Sequence, residues 1–529
     1  MFVVAPFDPL RKLPGPDGTW FENHFSAVLN PNFSPDTHAR WTKLYGHTFR
    51  FHGFGKHDYR LMSFDFRVVA HVLNSPTFEK PWQTRLSLSR LVGRGLISSE
   101  GAEHKLQRRH LAPGFTTRSM KSMTPVFFQK AQELASHWHN NLVSSPSVSS
   151  DFPFSLTDTS VIVDVVHWVS RATFDVIGLT GFNYNFRSLQ DESDSVYLAY
   201  RKMFAIADKG PGLRGLLSLF VPLLNTLLPT ADTKATDECL KVIKEVGKTL
   251  VANTKAKIIA EKTNGDDSDD RDILSVLVRS NLSVDASKQL SDEELLDQCS
   301  TLLLAGTDSV ALGISWSLYH LAHSLEAQTR VRNELSSIDL DSIPAEQRWE
   351  ALESLPFLDA VVREALRLSP PAHSTIRVAV TDDHIPISQP VVLRDGTVIS
   401  KGEYIDIKKG SFVHIPIEGI NFSEELYGKD AREFRPDRWA DLSSSARTPQ
   451  HPGLGDSMTF SLGPHSCVGY KFSIAEIKVF LGTLLPQFVF KPQEGTEILK
   501  FNAILTKPYV KGQWQMGAQL PLVVERYHG

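Results

Sequence analysis

One of the three cysteines, Cys467, lies in a segment whose composition suits an anion or a metal ligand. The segment reads Phe460-Ser-Leu-Gly-Pro-His-Ser-Cys-Val-Gly469 and precedes residues with helical periodicity from Tyr470 to Ile477. Gly463 and Gly469 permit a tight loop with bare backbone, so amide N–H groups can point at the sulfur just before the helix N-terminus. Those amides and the helix dipole favour a thiolate over a thiol. The alternative is a small buried hydrophobic residue, the usual environment of a free cysteine.

A long helix is predicted upstream of this loop. The capping box Ser291-Asp-Glu-Glu294 marks its first turn, and apolar residues recur at helical spacing from Leu295 to Leu321. About 30 residues at roughly 1.5 Å each give a helix about 45 Å long. Gly306 costs about 1 kcal/mol relative to alanine and allows another group to approach the backbone. We therefore expect a break in the helix at Ala305-Gly306, with another part of the protein lying against it.

A second helix is predicted from Pro356 to Leu368, with a proline in its first turn and Pro370-Pro371 just after it. It carries Glu364 and Arg367 three residues apart, hence on one face. An isolated Glu-x-x-Arg is most often a surface ion pair that contributes about 0.2–1 kcal/mol. The pattern alone therefore assigns no function.

Composition limits the class of protein. The chain has 529 residues, of which 41% are hydrophobic and 22% charged, and its formal net charge is −4. These values are typical of a globular protein and give no overall basic field, so we expect no nucleic-acid partner. Three cysteines are too few for a disulfide framework and favour a reducing compartment. No apolar run approaches the roughly 18 to 20 residues that span a bilayer, so we expect no transmembrane anchor in the chain as given.

Short β-hairpins and one polar linker interrupt a chain that is otherwise mostly helical in period. One hairpin is predicted from Thr48–His52 and Tyr59–Ser63, and another within Pro390–Ile399, turning at Asp395-Gly396. The acidic residues 264–271 are typical of an exposed linker between helices.

The cysteine segment resembles the haem-binding loop of the cytochrome P450 family. Three other segments resemble family motifs, in the family's order and approximate spacing: Ala305-Gly-Thr-Asp-Ser309 resembles the oxygen-activating motif, Glu364-Ala-Leu-Arg367 the Glu-x-x-Arg pair, and Phe434-Arg-Pro-Asp-Arg438-Trp the segment whose arginine completes that pair. Leu13-Pro-Gly-Pro16 resembles the proline-rich hinge of microsomal members, so the resemblance covers nearly the whole chain. The residues that match the haem loop are Phe460, Gly463, His465, Cys467 and Gly469.

The resemblance implies one haem-thiolate domain over residues 1–529, with residues 1–18 as an N-terminal segment that includes the hinge. The fold it implies is mainly α with small β-sheets, in which the long helix lies over a haem. Cys467 would be the axial ligand, whose thiolate donates electron density to the iron and favours O–O cleavage. Propionate contacts are implied for His465, Arg108 and Arg377, because cationic donors suit carboxylates. His104 stands where the family usually has tryptophan, which makes that contact a departure from the pattern.

Oxygen activation is implied for the motif in the long helix, where Thr307 separates Ala305-Gly306 from Asp308 and Ser309. Protons must reach a buried dioxygen, and an acid and a hydroxyl beside the expected break would deliver them. The family usually has threonine at the position of Ser309; the loss of a methyl group leaves the hydroxyl freer to rotate. The alternative is that Ser309 bonds back to the preceding turn of its own helix.

The resemblance also implies partners. Electrons would come from NADPH through a separate reductase, with cytochrome b5 as a further donor, docking near Lys105, Arg108, Arg109 and Lys471. Substrate segments are mainly apolar, which favours a lipophilic compound of secondary metabolism; they are residues 88–96, 302–307, 372–376 and 504–506. The leucine-rich residues 213–228 form either a peripheral membrane contact or an internal helix pair. The protein would lie on the cytosolic face of the endoplasmic reticulum if an anchor was removed, and otherwise be cytoplasmic or peripheral.

The preferred hypothesis is a monooxygenase that inserts one atom of dioxygen into an organic substrate. An oxygen-independent haem-thiolate isomerase or dehydratase is the first alternative, although it would not need the acid and hydroxyl of Asp308 and Ser309. A haem-binding sensor or carrier without turnover is the second.

Overall fold

The computed structural model describes residues 8–20, 23–143, 155–157, 160–191, 193–208, 227–264, 272–440 and 453–528. Most of the predicted membrane segment (213–226) and of the acidic linker (265–271) therefore lies outside the described residues. The fold is mainly α with small β-sheets, as predicted. The helices are α1 Phe25–Leu29, α2 Ser34–Tyr45, α3 Phe66–Asn74, α4 Trp82–Val92, α5 Gly101–Leu111, α6 Thr117–Val143, α7 Val165–Phe182, α8 Ser195–Asp208, α9 Ala231–Asn264, α10 Ile273–Leu282, α11 Asp292–Ala322, α12 Leu325–Leu335, α13 Arg348–Glu353, α14 Pro356–Leu368, α15 Ile417–Asn421, α16 Glu424–Tyr427 and α17 Tyr470–Leu484.

The strands are short. They are β1 Thr48–His52, β2 Tyr59–Ser63, β3 Phe78–Glu79, β4 Ser155–Thr157, β5 Ser160–Asp164, β6 Thr375–Ala379, β7 Asp383–Pro386, β8 Val391–Val392, β9 Val398–Ile399, β10 Tyr404–Ile407, β11 Phe412–Ile415, β12 Phe488–Pro492, β13 Ile498–Asn502, β14 Thr506–Val510 and β15 Pro521–Arg526. The chain divides into two compact units. Unit 1 comprises Met1–Trp82, Leu366–Cys467 and Leu499–Lys507, and unit 2 comprises Gln83–Ala365, Val468–Ile498 and Pro508–Gly529.

Unit 1 is built on a five-stranded sheet of order β1-β2-β11-β6-β3. β1 and β2 pair antiparallel with Thr48 opposite Ser63, which confirms the first predicted hairpin. β8 and β9 confirm the second, since Gly396 turns between them with φ of 86°. Apolar residues of α3 pack in one buried cluster with strand residues such as Leu61 and Val413.

The helix α3 begins at an N-cap that also fixes a neighbouring loop. Asp65 accepts a hydrogen bond from the Arg67 amide at 2.9 Å, as N-cap aspartates do. The same carboxylate accepts from the amides of Ser388 and Gln389 at 2.6 and 3.0 Å. Because α3 ends at Asn74, this cap sets the position of a helix whose last residues contact the cysteine loop.

Unit 2 is organised around α11, whose 31 residues start at the predicted capping box. Both reciprocal bonds of the box between Ser291 and Glu294 are present. The helix packs most extensively on α7, and a four-stranded sheet of order β12-β15-β5-β4 completes the unit. Length and composition alone would allow Ala286–Ala322 to cross a membrane, but 78% of its most apolar window is buried inside the protein.

The prediction of a break at Ala305-Gly306 is wrong, because α11 is helical through both residues. The predicted close approach at this point is confirmed. A Cβ on Gly306 would lie 2.7 Å from Cδ1 of Ile177 on α7. The absence of a side chain on Gly306 lets the tip of Ile177 approach α11 closely, and the helix continues through this residue despite the low helix propensity of glycine.

Candidate functional site

The cysteine loop is a tight turn closed by its own backbone. The Cys467 amide donates to the Phe460 carbonyl at 3.0 Å, and the Ser466 amide donates to the Gly463 carbonyl at 3.0 Å. A short 3₁₀ turn occupies Gly463–His465, and α17 begins three residues after the cysteine, with Gly469 as its N-cap. The predicted loop before a helix N-terminus is therefore confirmed. The side chain of Cys467 is exposed, so the alternative of a buried hydrophobic cysteine is wrong.

Gly463 fixes the loop against the end of α3. Its φ of +72° lies in the left-handed region that side chains other than glycine rarely adopt. A Cβ at this position would lie 2.7 Å from both the Leu73 carbonyl oxygen and Oδ1 of Asn74. The turn can therefore rest on α3 only because residue 463 has no side chain.

The three cysteines differ in how well they suit a thiolate. Burial raises the pKa of Cys299 to about 12, and burial also raises the pKa of Cys239. Both thiols therefore stay protonated near neutral pH. Cys467 alone is exposed and stands just ahead of a helix N-terminus, where backbone amides and the dipole favour an anion.

The cationic residues predicted to contact a haem are divided between the units. In unit 1, Nδ1 of His465 lies 3.3 Å from Nζ of Lys80. Arg377 is buried on β6, and its Nη1 donates to Oγ1 of Thr375 at 2.6 Å and to the Ile376 carbonyl at 3.0 Å. In unit 2, His104 and Arg108 lie on α5, where the histidine is buried and the arginine is half-buried.

This donor set fits a haem. An exposed thiol on a fixed loop suits a soft metal ion such as haem iron, and basic side chains such as Arg377 of unit 1 suit carboxylates. The described residues contain no group of three or more His, Cys, Asp or Glu side chains arranged to hold a metal ion. Haem, whose iron would need one thiolate from the protein, matches the single exposed thiol of Cys467.

The Glu-x-x-Arg pair lies in the interior. α14 has the predicted bounds, and Glu364 and Arg367 are both fully buried, so the alternative of a surface ion pair is wrong. Nη1 of Arg367 donates to the carbonyls of Asn421 and Ala431, each at 2.6 Å. The guanidinium thus ties the end of α14 to the last residue of α15 and to the segment that follows α16.

Arg438 is equally buried and anchors the same segment. Its Nη1 forms an ion pair with Oδ1 of Asp430 at 2.9 Å and also donates to the Tyr427 carbonyl. Its Nη2 donates to the Asp430 carbonyl at 2.8 Å. The completion of the Glu364–Arg367 pair by Arg438 stays a prediction.

The acid and hydroxyl of α11 each have a hydrogen-bond partner. Oγ of Ser309 donates to the Ala305 carbonyl at 2.5 Å, which is the back-bonding geometry considered as an alternative. Asp308 is half-buried, and its Oδ1 accepts from the Tyr200 hydroxyl on α8 at 3.1 Å. Thr307, between them and the glycine, is buried.

The loop that precedes α5 is held on α11 by two polar side chains that the sequence did not single out. Oδ2 of Asp297 accepts from the Arg94 amide at 2.7 Å, and Oε1 of Gln298 accepts from the Leu96 amide at 3.0 Å. A Cβ on Gly95 would lie 2.1 Å from Oγ1 of Thr301. Residues 94–96 of the predicted substrate segment 88–96 therefore lie against α11 at residues 297–301.

Comparison with known proteins agrees with this geometry. The family model for cytochrome P450 matches residues 14–516. The chain belongs to the cytochrome P450 family. It is 34% identical to cytochrome P450 monooxygenase 205 of Postia placenta, over 100% of this chain and 95% of that protein. It is 33% identical to cytochrome P450 monooxygenase claP of Ampulloclitocybe clavipes (98% and 93%) and 30% identical to ganoderic acid synthetase of Ganoderma lucidum (92% and 89%).

Membership in the P450 family makes this protein an oxidoreductase of the monooxygenase type with a thiolate-ligated haem. It also implies a redox partner reductase, dioxygen and a small-molecule substrate. The four P450 motifs are far apart in the sequence, and they do not all belong to one unit. Lys80, Tyr200 and Asp297 contact motif residues or substrate segments, yet they lie in stretches with no local pattern that could have identified them.

Proposed function

We propose that this P450 inserts one atom of dioxygen into a lipophilic small molecule, with electrons from NADPH through a separate reductase, and that Cys467 is the residue that would hold the haem iron. The observation that carries the proposal is the cysteine loop. Of the three thiols, only Cys467 is exposed, lies on a backbone-closed turn and precedes a helix N-terminus. The low tendency of Cys239 and Cys299 to ionise supports the same choice.

Haem bound through a thiolate supplies activation of dioxygen. The chain's own contribution is to hold this cofactor in place. Arg377, Arg108, His465 and His104 would bind the propionates, and Phe460, Gly463 and Gly469 would shape the loop around the sulfur. The buried Arg377 supports this role best, because its Nη1 is already held by Thr375 and Ile376.

Asp308 and Ser309 would hold and move the protons that the reaction consumes, within the motif that Ala305, Gly306 and Thr307 complete. The bond from Ser309 to the Ala305 carbonyl does not prevent this role, because one rotation about χ1 redirects a serine hydroxyl. The unbranched Cβ of serine makes that rotation easier than it is for threonine. The half-buried carboxylate of Asp308 can exchange protons with solvent and with the hydroxyl.

A lipophilic substrate of secondary metabolism is supported by the segments next to this motif. Leu302, Leu303 and Leu304 of α11 are apolar and buried, and Leu96 is held beside them by Gln298. Residues of the kind that bind charged substrates are absent from the described residues 302–304. The name of the Ganoderma lucidum relative gives ganoderic acid as its product, which is consistent with this class of chemistry.

The reductase, with cytochrome b5 as a second donor, would dock on exposed basic residues of unit 2. Lys105 and Arg109 are exposed on α5, Arg108 is half-buried between them, and Lys471 is exposed in the first turn of α17. Basic residues steer an acidic partner to such a surface. An NADPH-dependent reductase of this kind would place the protein at the cytosolic face of the endoplasmic reticulum.

The test is the ratio of product formed to NADPH oxidised, after a spectral screen of lipophilic compounds has identified a substrate. Ser309→Ala and Asp308→Asn should retain haem and substrate affinity. Their ratio of product formed to NADPH oxidised should fall by about 10²-fold or more, and they should release more peroxide. Ser309→Thr, which keeps the hydroxyl, is the matched control and should couple at least as well as the parent. Unchanged coupling in both Ser309→Ala and Asp308→Asn would contradict the relay and favour an oxygen-independent isomerase. Absence of NADPH oxidation with every compound would favour a sensor or carrier.

A further inference from the structure

Tyr200 is held rigidly in the interior of unit 2. It lies on α8 and is almost completely buried. Its ring lies between Phe174 of α7 and Phe204 of α8, with centroid distances of 5.1 and 4.6 Å. Such aromatic contacts restrict the ring, so the direction of its hydroxyl is set by packing. That direction is towards α11, where the hydroxyl donates to Oδ1 of Asp308 at 3.1 Å.

The chemistry of this contact makes Tyr200 a donor and not a proton source. Burial raises the pKa of Tyr200 well above its usual range, and the nearby Asp308 carboxylate raises this pKa further. A hydrogen bond with the Thr307 side chain lowers the pKa of Tyr200, and Asp208 at the end of α8, the smaller influence, raises it. The phenol therefore stays protonated near neutral pH and donates its hydrogen to the carboxylate.

The place of Asp308 on α11 explains why a partner on another helix helps to orient it. Consecutive residues of an α-helix point about 100° apart, so Asp308 and Ser309 do not face each other by default. Ser309 is already bonded to Ala305 within α11, and this bond does nothing to orient the aspartate. An aspartate side chain has two torsions, χ1 and χ2, and a hydrogen bond from another helix favours those rotamers that keep the bond.

We propose that Tyr200 is a positioning residue for proton delivery, which holds the Asp308 carboxylate by a hydrogen bond from α8 to α11. The proposal rests on the proposed role of Asp308 and Ser309. Tyr200 does not transfer a proton itself. It favours one orientation of the carboxylate and links the acid of the relay to the position of α8.

The test is Tyr200→Phe, which keeps the ring and its packing and removes only the hydroxyl. We expect nearly unchanged haem content, substrate KM and NADPH oxidation, with about tenfold less product per NADPH and correspondingly more peroxide, since one hydrogen bond to a charged group is lost. The matched control is Tyr197→Phe, the same change one turn earlier on α8, where the ring contacts the same Phe174 at 5.2 Å. This control should couple like the parent.

A double-mutant cycle separates positioning from any independent effect of the ring. In an Asp308→Ala background, Tyr200→Phe should cause no further loss of coupling, because there is no carboxylate to hold. A readout that does not depend on turnover is urea unfolding, in which the two changes should likewise be non-additive.

Two results would overturn the proposal: a Tyr200→Phe protein that couples as well as the parent or better, or an equal additional loss of coupling in the Asp308→Ala background. Failure of the relay itself is seen separately. In that case Asp308→Asn and Ser309→Ala couple normally, and the positioning role falls with the relay even if the unfolding cycle still detects the hydrogen bond.

Discussion

Replacement of Gly463 by alanine should damage the cysteine loop in a way that the structure allows us to estimate. Left-handed backbone at φ of +72° costs an alanine about 1–2 kcal/mol. The new Cβ would also lie 2.7 Å from the Leu73 carbonyl and from Oδ1 of Asn74, so the loop or the end of α3 must move by several tenths of an ångström. Forced displacement in a packed site costs a further 1–3 kcal/mol, to a total of about 2–5 kcal/mol.

The matched control is Gly396→Ala in the β8–β9 turn. Its φ of +86° carries the same backbone cost, but nothing lies within 4 Å of the new Cβ. The assay is haem content per protein together with the midpoint of urea unfolding. Gly463→Ala should lose most of its haem and unfold earlier than Gly396→Ala, which should keep its haem. Addition of Asn74→Ala should restore part of the loss, since it removes one of the two close atoms. Equal haem content in the two alanine variants would refute the reasoning.

Two further predictions concern Arg367 on α14 and the buried His38 of unit 1. Arg367→Ala should prevent recovery of haem-loaded protein, because two buried carbonyls lose their donor at a cost of about 1–3 kcal/mol each; Arg363→Ala, on the same helix but in a partly exposed ion pair, should cost less than about 1 kcal/mol. Soluble, haem-loaded Arg367→Ala would contradict this. Burial lowers the pKa of His38 to about 3 from 6.5. Between these two values the unfolded chain binds a proton on His38 that the folded chain does not bind. The contribution of His38 to the free energy of unfolding is therefore fully present above pH 6.5, and the free energy of unfolding falls by up to about 1.4 kcal/mol per pH unit towards pH 3. Urea midpoints of the parent and His38→Phe across that range should show a smaller slope in the variant, and parallel slopes would contradict the assignment.

Local patterns predicted most of the elements that carry the site. The capping box, the helical spacing and the proline boundaries gave α11 and α14 because the forces that begin and end a helix act within one turn. The loop around Cys467 was predictable for a similar reason, because Gly463 and Gly469 determine the backbone conformation of a segment of only ten residues. The predicted break at Gly306 is absent because the low helix propensity of glycine is a weaker influence than tertiary packing. The helix continues, and the side chain of Ile177 on α7 packs against it.

The interactions that orient the site could not be predicted in this way. Tyr200 lies 108 residues from Asp308, and its hydroxyl direction depends on how α7, α8 and α11 pack. Lys80 meets His465 across an interval of 385 residues. The burial of Glu364 and Arg367 was also undetermined, because the same Glu-x-x-Arg spacing occurs on exposed helices. Side-chain contacts at such separations follow from the completed fold and leave no periodic pattern in the sequence.

The most direct test of the central claim is the absorbance spectrum of the reduced, carbon monoxide-treated protein for the parent and for three single variants. The parent should absorb at the long wavelength typical of thiolate-ligated haem. Cys467→Ala should lose this band, whereas Cys239→Ala and Cys299→Ala should keep it, because burial holds both thiols in the protonated form. A long-wavelength band that persists in Cys467→Ala, or a parent spectrum typical of histidine ligation in well-folded protein, would contradict the assignment of Cys467 as the haem ligand.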